Sequence, residues 1–410
     1  MWRVGGSIAG IRLAAIALRF GLTIYITAEL GLVAMGQYGL ILGLGALSPA
    51  LFGFGLNFHM ARALVGAEEH HRLQIMRSRI GFTLIVLVVA SVVALPTAIA
   101  EVELPWLAIL LIAAILWGEA LGMDIYIALN ALRFNVLANF SLALRTAFWI
   151  PLAIGISSFS EDYRTLNTIL ACWLLGQIAN LIVVGIVVDR RMGAPRARAG
   201  GENWARSTLK DGLRIWPSDL ALVLIAFGDR FILSATVNEI ELGIFVFFWS
   251  FANVAQTLIQ ASIITPSLPR LIQLHRENTT AWIADIRRLA SIVIGFGCLL
   301  GAGIYCFVWL VSVFVPQANF PWSPVFGAVL ILATIVRFVG DFLSTALNSA
   351  GDANAYSVLN VGFALTLMAA MVPASIWCGI LGAAIAMLVV AVLFNLLKLR
   401  AITAGYKGPE

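Results

Sequence analysis

Five arginines interrupt long apolar runs of this sequence, and they are the side chains there with the most evident chemistry. A guanidinium group stays protonated in proteins and presents a planar fork of N–H donors that fits the oxygens of a phosphate. An ionised group costs at least about 2.5 kcal/mol at the centre of a membrane-spanning segment, so each arginine is a candidate for binding an anion. The five are Arg12, Arg19, Arg145, Arg230 and Arg337.

The positions of these arginines along their runs predict a ladder of positive charge. Arg12 and Arg19 are seven residues apart, which on a helix places them on one face within roughly 20° and about 10 Å apart along the axis. Arg145 and Arg337 lie in the inner halves of their runs, and Arg230 lies toward the outer end. A simpler alternative stays open for Arg12 and Arg145, whose long side chains can snorkel to the lipid headgroups, whereas Arg19 lies deeper.

Two aspartates lie beside these arginines in the sequence. Asp229 precedes Arg230 directly, so on a helix the two side chains point about 100° apart and each needs a partner on another span. Lining of a cavity and pairing between helices both stay open for them. Asp341 follows Arg337 by four residues, so a local ion pair on one helix face would explain both residues without any ligand.

Acids within the apolar runs are candidates for binding a proton or a cation, should the protein couple movement of a substrate to an ion. Glu119, in LWGEALGMD, is the deepest of them, and Asp341 is the second candidate. Glu29 and Asp219 lie near the ends of their runs, where contact with water is the simpler explanation.

The chain that carries these charges is otherwise very apolar. Of its 410 residues, 61% are hydrophobic and 11% are charged, whereas soluble domains carry about 25% charged residues. A helix needs roughly 20 apolar residues to cross the hydrocarbon layer of a membrane. This composition excludes a soluble globular protein and predicts an all-α integral membrane protein.

Twelve apolar segments are long enough to be spans, and they predict about twelve transmembrane helices in two six-helix bundles. The predicted spans are 8–31, 37–61, 80–100, 104–130, 138–158, 167–188, 213–236, 241–264, 289–315, 323–347, 356–374 and 380–398.

Basic residues between the spans predict the orientation, because cytoplasmic loops of membrane proteins carry an excess of Lys and Arg. The chain has 26 such residues. With the N-terminus placed in the cytoplasm, 20 lie in cytoplasmic segments, Arg164 alone lies on the other side, and the five arginines named above lie within spans. Both termini are therefore predicted to be cytoplasmic. Because the basic residues are spread over many loops, the net charge of +5 does not indicate a nucleic-acid partner.

The longest cytoplasmic loop, 189–212, divides the chain into halves of six spans each. The predicted domains are an N-terminal bundle over 1–188, this linker, a C-terminal bundle over 213–400 and a cytoplasmic tail over 401–410. Each half begins on the same side of the membrane, which predicts parallel repeats related by an axis along the membrane normal.

Short motifs recur at matching places in the two halves. Arg-Phe occurs late in the first span of each half, and a glycine two residues before an aromatic residue opens each second span, at Gly36 and Gly243. Each second span is followed by a charged stretch, 67–79 or 276–289. We expect both stretches to form amphipathic helices on the inner membrane surface.

Three stretches resemble polysaccharide repeat-unit flippases of the multidrug/oligosaccharidyl-lipid/polysaccharide exporter superfamily. QYGLILGLGALSPALFGFGLNFHMARAL (37–64) resembles their second span, and LRIWPSDLALVLIAFGDRFILS (213–234) resembles their seventh. ELGIFVFFWSFANVAQTLIQASIITPSLPRL (241–271) resembles their eighth span and its exit. Peptidoglycan-precursor flippases of the superfamily usually have fourteen spans, so twelve spans favour the O-antigen, capsule or exopolysaccharide branch.

The resemblance implies alternating access in the bacterial inner membrane, with two bundles rocking about a central cavity. It implies a polyprenyl-pyrophosphate-linked oligosaccharide as substrate, which moves from the cytoplasmic to the periplasmic leaflet for surface or exopolysaccharide biosynthesis. Implied partners are membrane lipids and polysaccharide polymerase or export proteins. The residues then expected to bind the substrate are Arg12, Arg19, Arg145, Asp229, Arg230 and Arg337.

Two alternatives stay open. A cation-coupled drug or metabolite exporter of the same superfamily would need a cavity rich in acids and aromatic residues, whereas arginines here rival the acids. A membrane-embedded polysaccharide polymerase or ligase commonly has a large periplasmic loop, and every predicted external loop is short. The sequence has no transferase or hydrolase motif and no histidine pattern typical of a metal site. We therefore expect no enzymatic activity, no catalytic residues, no metal and no cofactor.

Overall fold

The computed structural model describes residues 2–101, 104–192, 204–314, 323–351 and 353–404, which form helices and the turns between them. The helices of the N-terminal part are α1 Trp2–Tyr25, α2 Gly31–Leu51, α3 Leu56–Gly66, α4 Glu69–Glu101, α5 Trp106–Ala131, α6 Asn135–Thr146, α7 Ile150–Phe159 and α8 Leu166–Met192. Those of the C-terminal part are α9 Trp204–Thr236, α10 Glu239–Ile259, α11 Thr265–Glu277, α12 Thr279–Phe314, α13 Pro324–Ser349 and α14 Ala353–Ala404. The predicted all-α fold is confirmed.

Within the described residues, nine helical runs are long and apolar enough to cross a membrane. Two of them, Gly6–Leu51 and Ala355–Ala404, each contain two predicted spans. The nine runs thus account for eleven of the twelve predicted spans. The twelfth is α9, which is not among the nine because it carries Asp219, Asp229 and Arg230 within one span length.

Glycines in the left-handed backbone region separate the spans within both double runs. Gly31 has a φ of +87° and Gly379 a φ of +56°, values that L-residues with a side chain rarely adopt. A short π-helix, Ile26–Leu30, joins α1 to Gly31. A right-handed helix cannot continue through a left-handed residue, so each glycine ends one span and allows the next to begin.

The second predicted span is interrupted by a turn between α2 and α3. Phe54 and Gly55 have φ values of +49° and +68°. Arg79, on α4, holds this turn: its guanidinium donates to the Gly53 carbonyl oxygen at 3.3 Å and to Asn57 Oδ1 at 3.1 Å.

A buried ion pair fixes the same arginine to α5. Arg79 Nη2 lies 2.8 Å from Asp124 Oδ1, and both side chains are almost fully buried. Thr83 donates to the second carboxylate oxygen at 2.6 Å. The sequence interpretation counted Arg79 among the basic residues of the cytoplasmic segments, in the stretch 67–79 expected on the membrane surface. A surface position is wrong, because α3, α4 and α5 enclose the side chain.

Replacement of Arg79 by methionine is expected to destabilise the protein by about 3–5 kcal/mol, because Asp124 would stay buried without its counter-ion. The measurement is thermal unfolding of the purified protein in detergent. Arg77→Met is the matched control, since Arg77 is exposed two residues earlier on the same helix. Equal stability of the two variants would show that the buried pair does not hold this turn.

The two amphipathic surface helices predicted over 67–79 and 276–289 do not exist as separate helices. The first charged stretch forms the opening turns of α4, which continues without interruption to Glu101. The second is divided between the end of α11 and the opening turns of α12. No glycine or proline lies between 69 and 80 or between 279 and 290, so each helix runs from the charged stretch into its span.

Contacts divide the chain into two compact units whose boundary falls within helices. Unit 1 comprises Met1–Tyr25 and Ile41–Val223, and unit 2 comprises Ile26–Leu40 and Leu224–Glu410. The predicted bundles 1–188 and 213–400 stay a proposal, and part of the predicted linker 189–212, residues 193–203, lies outside the described residues.

The first half of α9 belongs to unit 1 because it packs on the turn between α2 and α3. Trp216 donates its indole N–H to the Ala50 carbonyl oxygen at 2.9 Å, and its ring centroid lies 5.0 Å from that of Phe54. Gly212 is equally close: a β-carbon there would lie 2.5 Å from the Phe54 carbonyl oxygen.

The segment 26–40 belongs to unit 2 because α2 crosses α10 at two glycines. A β-carbon on Gly36 would lie 3.2 Å from the Gly243 nitrogen. These are the two glycines that the sequence places at equivalent positions of the halves. The parallel repeat itself stays a proposal.

Candidate functional site

A buried polar network in unit 1 contains two of the predicted residues, Glu119 on α5 and Arg145 at the end of α6. They form an ion pair through Arg145 Nη1, and both side chains are buried. Glu119 also accepts hydrogen bonds from Trp173 Nε1 at 3.3 Å and from Gln177 Nε2 at 2.5 Å, both on α8. We call these four residues the unit 1 network. It joins α5, α6 and α8 and engages both carboxylate oxygens of Glu119.

Two glycines of α5 make room for this network. A β-carbon on Gly118 would lie 2.8 Å from Gln177, and one on Gly122 would lie 2.8 Å from Arg145 Cδ. The two glycines of the motif Gly-Glu-Ala-Leu-Gly therefore let side chains of two other helices come close enough to bond the buried Glu119 carboxylate. Small residues four apart around a glutamate are the sequence signal that could have identified these partners.

Arg12 and Arg19 both contact α6 from α1, as their seven-residue spacing predicts. Arg12 Nε donates to Asn139 Oδ1 at 2.8 Å, and Arg19 Nε donates to the Thr146 carbonyl oxygen at 3.4 Å. The contacted residues are also seven apart, so the two helices run alongside each other. Arg19 stays exposed and Arg12 is partly exposed, which leaves both guanidinium groups accessible.

Arg230, on α9 in unit 2, is fully buried, and its guanidinium packs on aromatic rings. Its Nε, Nη1 and Nη2 have no hydrogen-bond partner among the described residues. The guanidinium carbon instead lies 3.9 Å from the ring centroid of Trp249 and 4.9 Å from that of Phe227. Aromatic faces attract a cation but leave its N–H donors unused, so Arg230 retains its full capacity to bind an anion.

The carboxylate of Asp229 does not pair with the side chain of its neighbour, as the helical spacing predicts. Its Oδ1 accepts from the backbone nitrogen of Arg230 at 2.8 Å, and its Oδ2 is buried without a hydrogen-bond partner in the described part of the chain. Asp229 interacts electrostatically with Arg230 and Arg337.

The predicted local ion pair between Arg337 and Asp341 is wrong: the described residues hold no such pair. Asp341 Oδ2 accepts from Gln256 Nε2, on α10, at 3.1 Å. Arg337 is buried, and its Nε has no hydrogen-bond partner among the residues described. Asp341 thus turns to α10 although it shares one face of α13 with Arg337.

Lys398, which the sequence interpretation placed in the cytoplasm, is buried on α14. Its Nζ donates to the Gly340 carbonyl oxygen at 3.2 Å and interacts electrostatically with Asp341 and Arg337. Gly340 also makes room for Asn395, since a β-carbon there would lie 2.5 Å from Asn395 Oδ1.

These residues of unit 2 form one cluster of charges, which we call the unit 2 charge cluster. Asp229, Arg230, Arg337 and Lys398 are buried and Asp341 is partly buried. With three cations and two acids, the cluster carries a surplus positive charge. A buried surplus charge is unfavourable, and an anionic ligand would neutralise it.

The sequence model of the family described as polysaccharide biosynthesis protein matches residues 2–275, about two thirds of the chain. The chain belongs to this family. The family resemblance drawn from the sequence is thereby confirmed, and the protein is a multi-pass membrane protein. No curated protein matches the sequence.

Solved structures show the same fold for this member of the polysaccharide biosynthesis family. The lipid II flippase MurJ, in an inward closed conformation, superposes with a TM-score of 0.73 at 11% identity, covering 97% of this chain and 87% of its own. An inward-facing multidrug resistance MATE family transporter of the MOP superfamily gives 0.70 at 15% identity, covering 95% and 94%. A MOP superfamily transporter from Pyrococcus furiosus, described as having a binding pocket of reverse polarity, gives 0.51 at 15% identity, covering 98% and 93%.

Proposed function

We propose that the protein moves a polyprenyl-pyrophosphate-linked oligosaccharide repeat unit across the bacterial inner membrane by alternating access, for surface or exopolysaccharide biosynthesis. The observation that carries this proposal is the surplus positive charge of the unit 2 charge cluster, in which the guanidinium of Arg230 has no hydrogen-bond partner among the described residues. A pyrophosphate is the part of such a substrate that a guanidinium fork binds. The family and the fold support a flippase.

The proposed arginine ligands differ in how many of their N–H donors are already used by other groups of the protein. In unit 2, the guanidinium of Arg230 and the Nε of Arg337 have no hydrogen-bond partner among the described residues, and in unit 1, Arg12 and Arg19 are accessible. Within each unit, these are the arginines proposed to contact the substrate. Arg145 is engaged by Glu119 and acts on the site through the unit 1 network.

The acids of the site have proposed roles of two kinds. Asp229 lies next to Arg230 and Arg337 and would orient them toward the pyrophosphate. Glu119 and Asp341 are proposed for ion coupling, and of these Asp341 is better suited because its carboxylate meets a neutral amide donor rather than a direct ion pair. A proton or a cation would then compete with Lys398 for this acid.

The proposed orientation places both termini in the cytoplasm of the cell, on the basis of the distribution of Lys and Arg. Proposed partners are the lipid-linked oligosaccharide, membrane lipids, and polymerase or export proteins that receive the translocated unit. The protein is proposed to act as a transporter rather than as an enzyme, because its family and the solved structures of the same fold are those of transporters and flippases.

Reconstitution in liposomes tests the function directly. Polyprenyl-pyrophosphate-linked oligosaccharide on the inner leaflet should reach an externally added lectin or oxidant faster in vesicles that contain the protein than in empty vesicles. A cationic drug supplied with an ion gradient should not be accumulated. Drug accumulation without movement of the glycolipid would favour the drug-exporter alternative and reject the flippase.

Arg19→Ala is expected to abolish transport at normal abundance of folded protein, whereas Arg19→Lys should stay partly active. Hydrogen bonds to charged groups contribute about 1.5–3 kcal/mol, which corresponds to at least a tenfold loss for one pyrophosphate contact. A lysine keeps the charge but loses the fork. Complementation of a glycan-export mutant, with protein measured in the same membranes, checks both variants.

The control for this comparison is Arg400→Ala, which removes an exposed arginine near the end of α14. Full activity of Arg19→Ala at normal abundance would remove Arg19 from the site. Loss of the inserted protein itself would assign Arg19 to the support of α6 through the Thr146 contact.

A further inference from the structure

Lys398, on α14, carries an ammonium group that the proposed pyrophosphate contacts do not use. Its side chain is only 3% exposed, although the residue lies close to the end of α14 at Ala404. A lysine near the end of a span can extend to the headgroup region and keep its charge in water. Burial of this ammonium therefore needs compensating contacts inside unit 2.

The contacts that receive the ammonium are oxygen atoms of α13 and α14. Lys398 Nζ donates to the Gly340 carbonyl oxygen at 3.2 Å. Asn395, one turn earlier on α14, donates its Nδ2 to the Val336 carbonyl oxygen at 2.7 Å, and its Oδ1 points at Gly340. A β-carbon on Gly340 would lie 2.5 Å from this amide oxygen and 3.8 Å from Lys398 Nζ. Both groups thus lie beside the same position of α13.

Asp341 supplies the negative charge at this position. It directly follows Gly340 on α13 and attracts the Lys398 ammonium, whereas Arg337 repels the ammonium. The carboxylate accepts a hydrogen bond from Gln256 Nε2 at 3.1 Å, but a neutral amide does not compensate its charge. The ammonium of Lys398 is therefore the cation that balances this acid.

The ring of Phe363 borders the ammonium as well. Lys398 Nζ lies 5.6 Å from its centroid, and the ring packs on Phe394 with the two centroids 5.4 Å apart. An aromatic face attracts a cation, so the ring adds to the attraction of the oxygens. Because the ammonium is attached to α14, it cannot leave to either side of the membrane as a dissolved ion would.

The same set of oxygens has the chemistry of an alkali-cation site. Main-chain carbonyl oxygens replace the hydration shell of such ions in channels and coordinate them in transporters. A lysine ammonium is a compact point charge, and here it already occupies the position beside the carboxylate. A second cation at this buried position would be repelled by the first, and the repulsion is strong where little water screens it.

We infer that Lys398 is a tethered cation that fills an alkali-cation site formed by Asp341, the Gly340 carbonyl and Asn395, so that wild-type protein binds no sodium ion there. The inference deepens the proposed function, on which its meaning for coupling rests. Of the ions proposed to act at Asp341, it excludes an alkali cation while Lys398 is in place. Removal of the lysine side chain should open the oxygens to an ion from solution.

The sodium dependence of Lys398→Ala tests the inference. Its melting temperature in detergent is expected to rise by at least about 2 °C when N-methylglucamine chloride is replaced by sodium chloride at equal ionic strength, because an ion that binds only the folded protein stabilises it. The wild type should melt at the same temperature in both salts. Arg400→Ala is the matched control, since it removes an exposed cation of the same helix, and it should behave like the wild type.

Two further variants make the result specific to this position. Asp341→Asn/Lys398→Ala should lose the sodium response, because the acid that would hold the ion is gone. Lys398→Ser leaves similar space and serves if the alanine variant is not inserted in the membrane. In liposomes, sodium should raise glycolipid transport by Lys398→Ala and leave the wild-type rate unchanged.

Two results would overturn the inference. The first is a wild-type melting temperature that rises with sodium but no longer does so in Asp341→Asn, since an ion would then reach the acid past Lys398. The second is a folded Lys398→Ala protein that sodium does not stabilise. Failure of the proposed function is distinguishable, because melting needs no substrate: a protein that moves no glycolipid would still show the sodium response of Lys398→Ala.

Discussion

Arg230→Met is expected to abolish glycolipid transport while leaving the melting temperature of the protein equal to or above that of the wild type. Burial of a guanidinium without hydrogen bonds is costly, and Arg230 is fully buried with three unbonded nitrogens in the described part of the structure. Methionine fills similar space and can pack on Trp249 through its sulfur. The variant also leaves two cations and two acids in the unit 2 charge cluster, so its surplus charge disappears.

Glycolipid transport and melting temperature, measured together, distinguish a binding role of Arg230 from a structural role. A structural arginine would lower the melting temperature when removed, whereas a residue held unpaired for a ligand should not. Arg214→Met is the matched control, because this arginine lies on the same helix with a side chain 73% exposed. A less stable Arg230→Met protein, or one that transports at the wild-type rate, would contradict the assignment.

The ligand should also raise the melting temperature of the wild-type protein more than that of the Arg230→Met variant. Anything that binds only the folded protein raises its apparent stability by mass action. Inorganic pyrophosphate is therefore expected to raise the melting temperature of the wild type and not that of Arg230→Met. The absence of any shift in the wild type would indicate that the cluster does not bind an anion in detergent solution.

The spans and their number were predictable because lipid imposes a simple rule on the sequence. A segment must be apolar over about 20 residues to cross the hydrocarbon, and a charge inside it is conspicuous. The five arginines within the predicted spans were therefore found from position alone. Even α9, the most charged span, was recognised because the apolar stretch 220–228 separates Asp219 from the adjacent Asp229 and Arg230.

Burial of charges near span ends was not predictable in the same way. Arg79 and Lys398 lie where the sequence changes from apolar to basic, and a loop position was the simpler interpretation. Their burial depends on neighbours far along the chain: Asp124 for Arg79, and Gly340 for Lys398. The continuity of α4 could have been predicted, because residues 69–80 contain no glycine or proline that would break a helix beginning at Glu69.

Pairing across helices was the second part that the sequence left open. Spacing along one helix suggested an ion pair between Arg337 and Asp341, but tertiary packing turned Asp341 toward Gln256. A pair at this spacing stabilises an isolated helix by only about 0.2–0.5 kcal/mol, so a contact with another helix easily replaces it. The partner of Arg145 was missed because Glu119 is 26 residues away on a different helix.

A double-mutant cycle on Glu119 and Arg145 is expected to show that this pair supports the fold. Glu119→Gln should destabilise the protein by about 3–5 kcal/mol, since it leaves the Arg145 cation buried without a counter-ion. Arg145→Met should cost less, because Trp173 and Gln177 still donate to Glu119. The double variant should recover much of the loss, with a coupling energy of about 0.5–3 kcal/mol.

Transport by the double variant decides what Arg145 does. If Arg145 acts through the unit 1 network, Glu119→Gln/Arg145→Met should transport the glycolipid better than Glu119→Gln alone, since an uncharged network still packs α5, α6 and α8 together. Unfolding in detergent and the liposome assay measure the two quantities on the same preparations. A double variant that regains stability but not transport would contradict the structural role. It would make the pair part of the site, with Arg145 as a ligand of the pyrophosphate or Glu119 as the acid that couples transport to an ion.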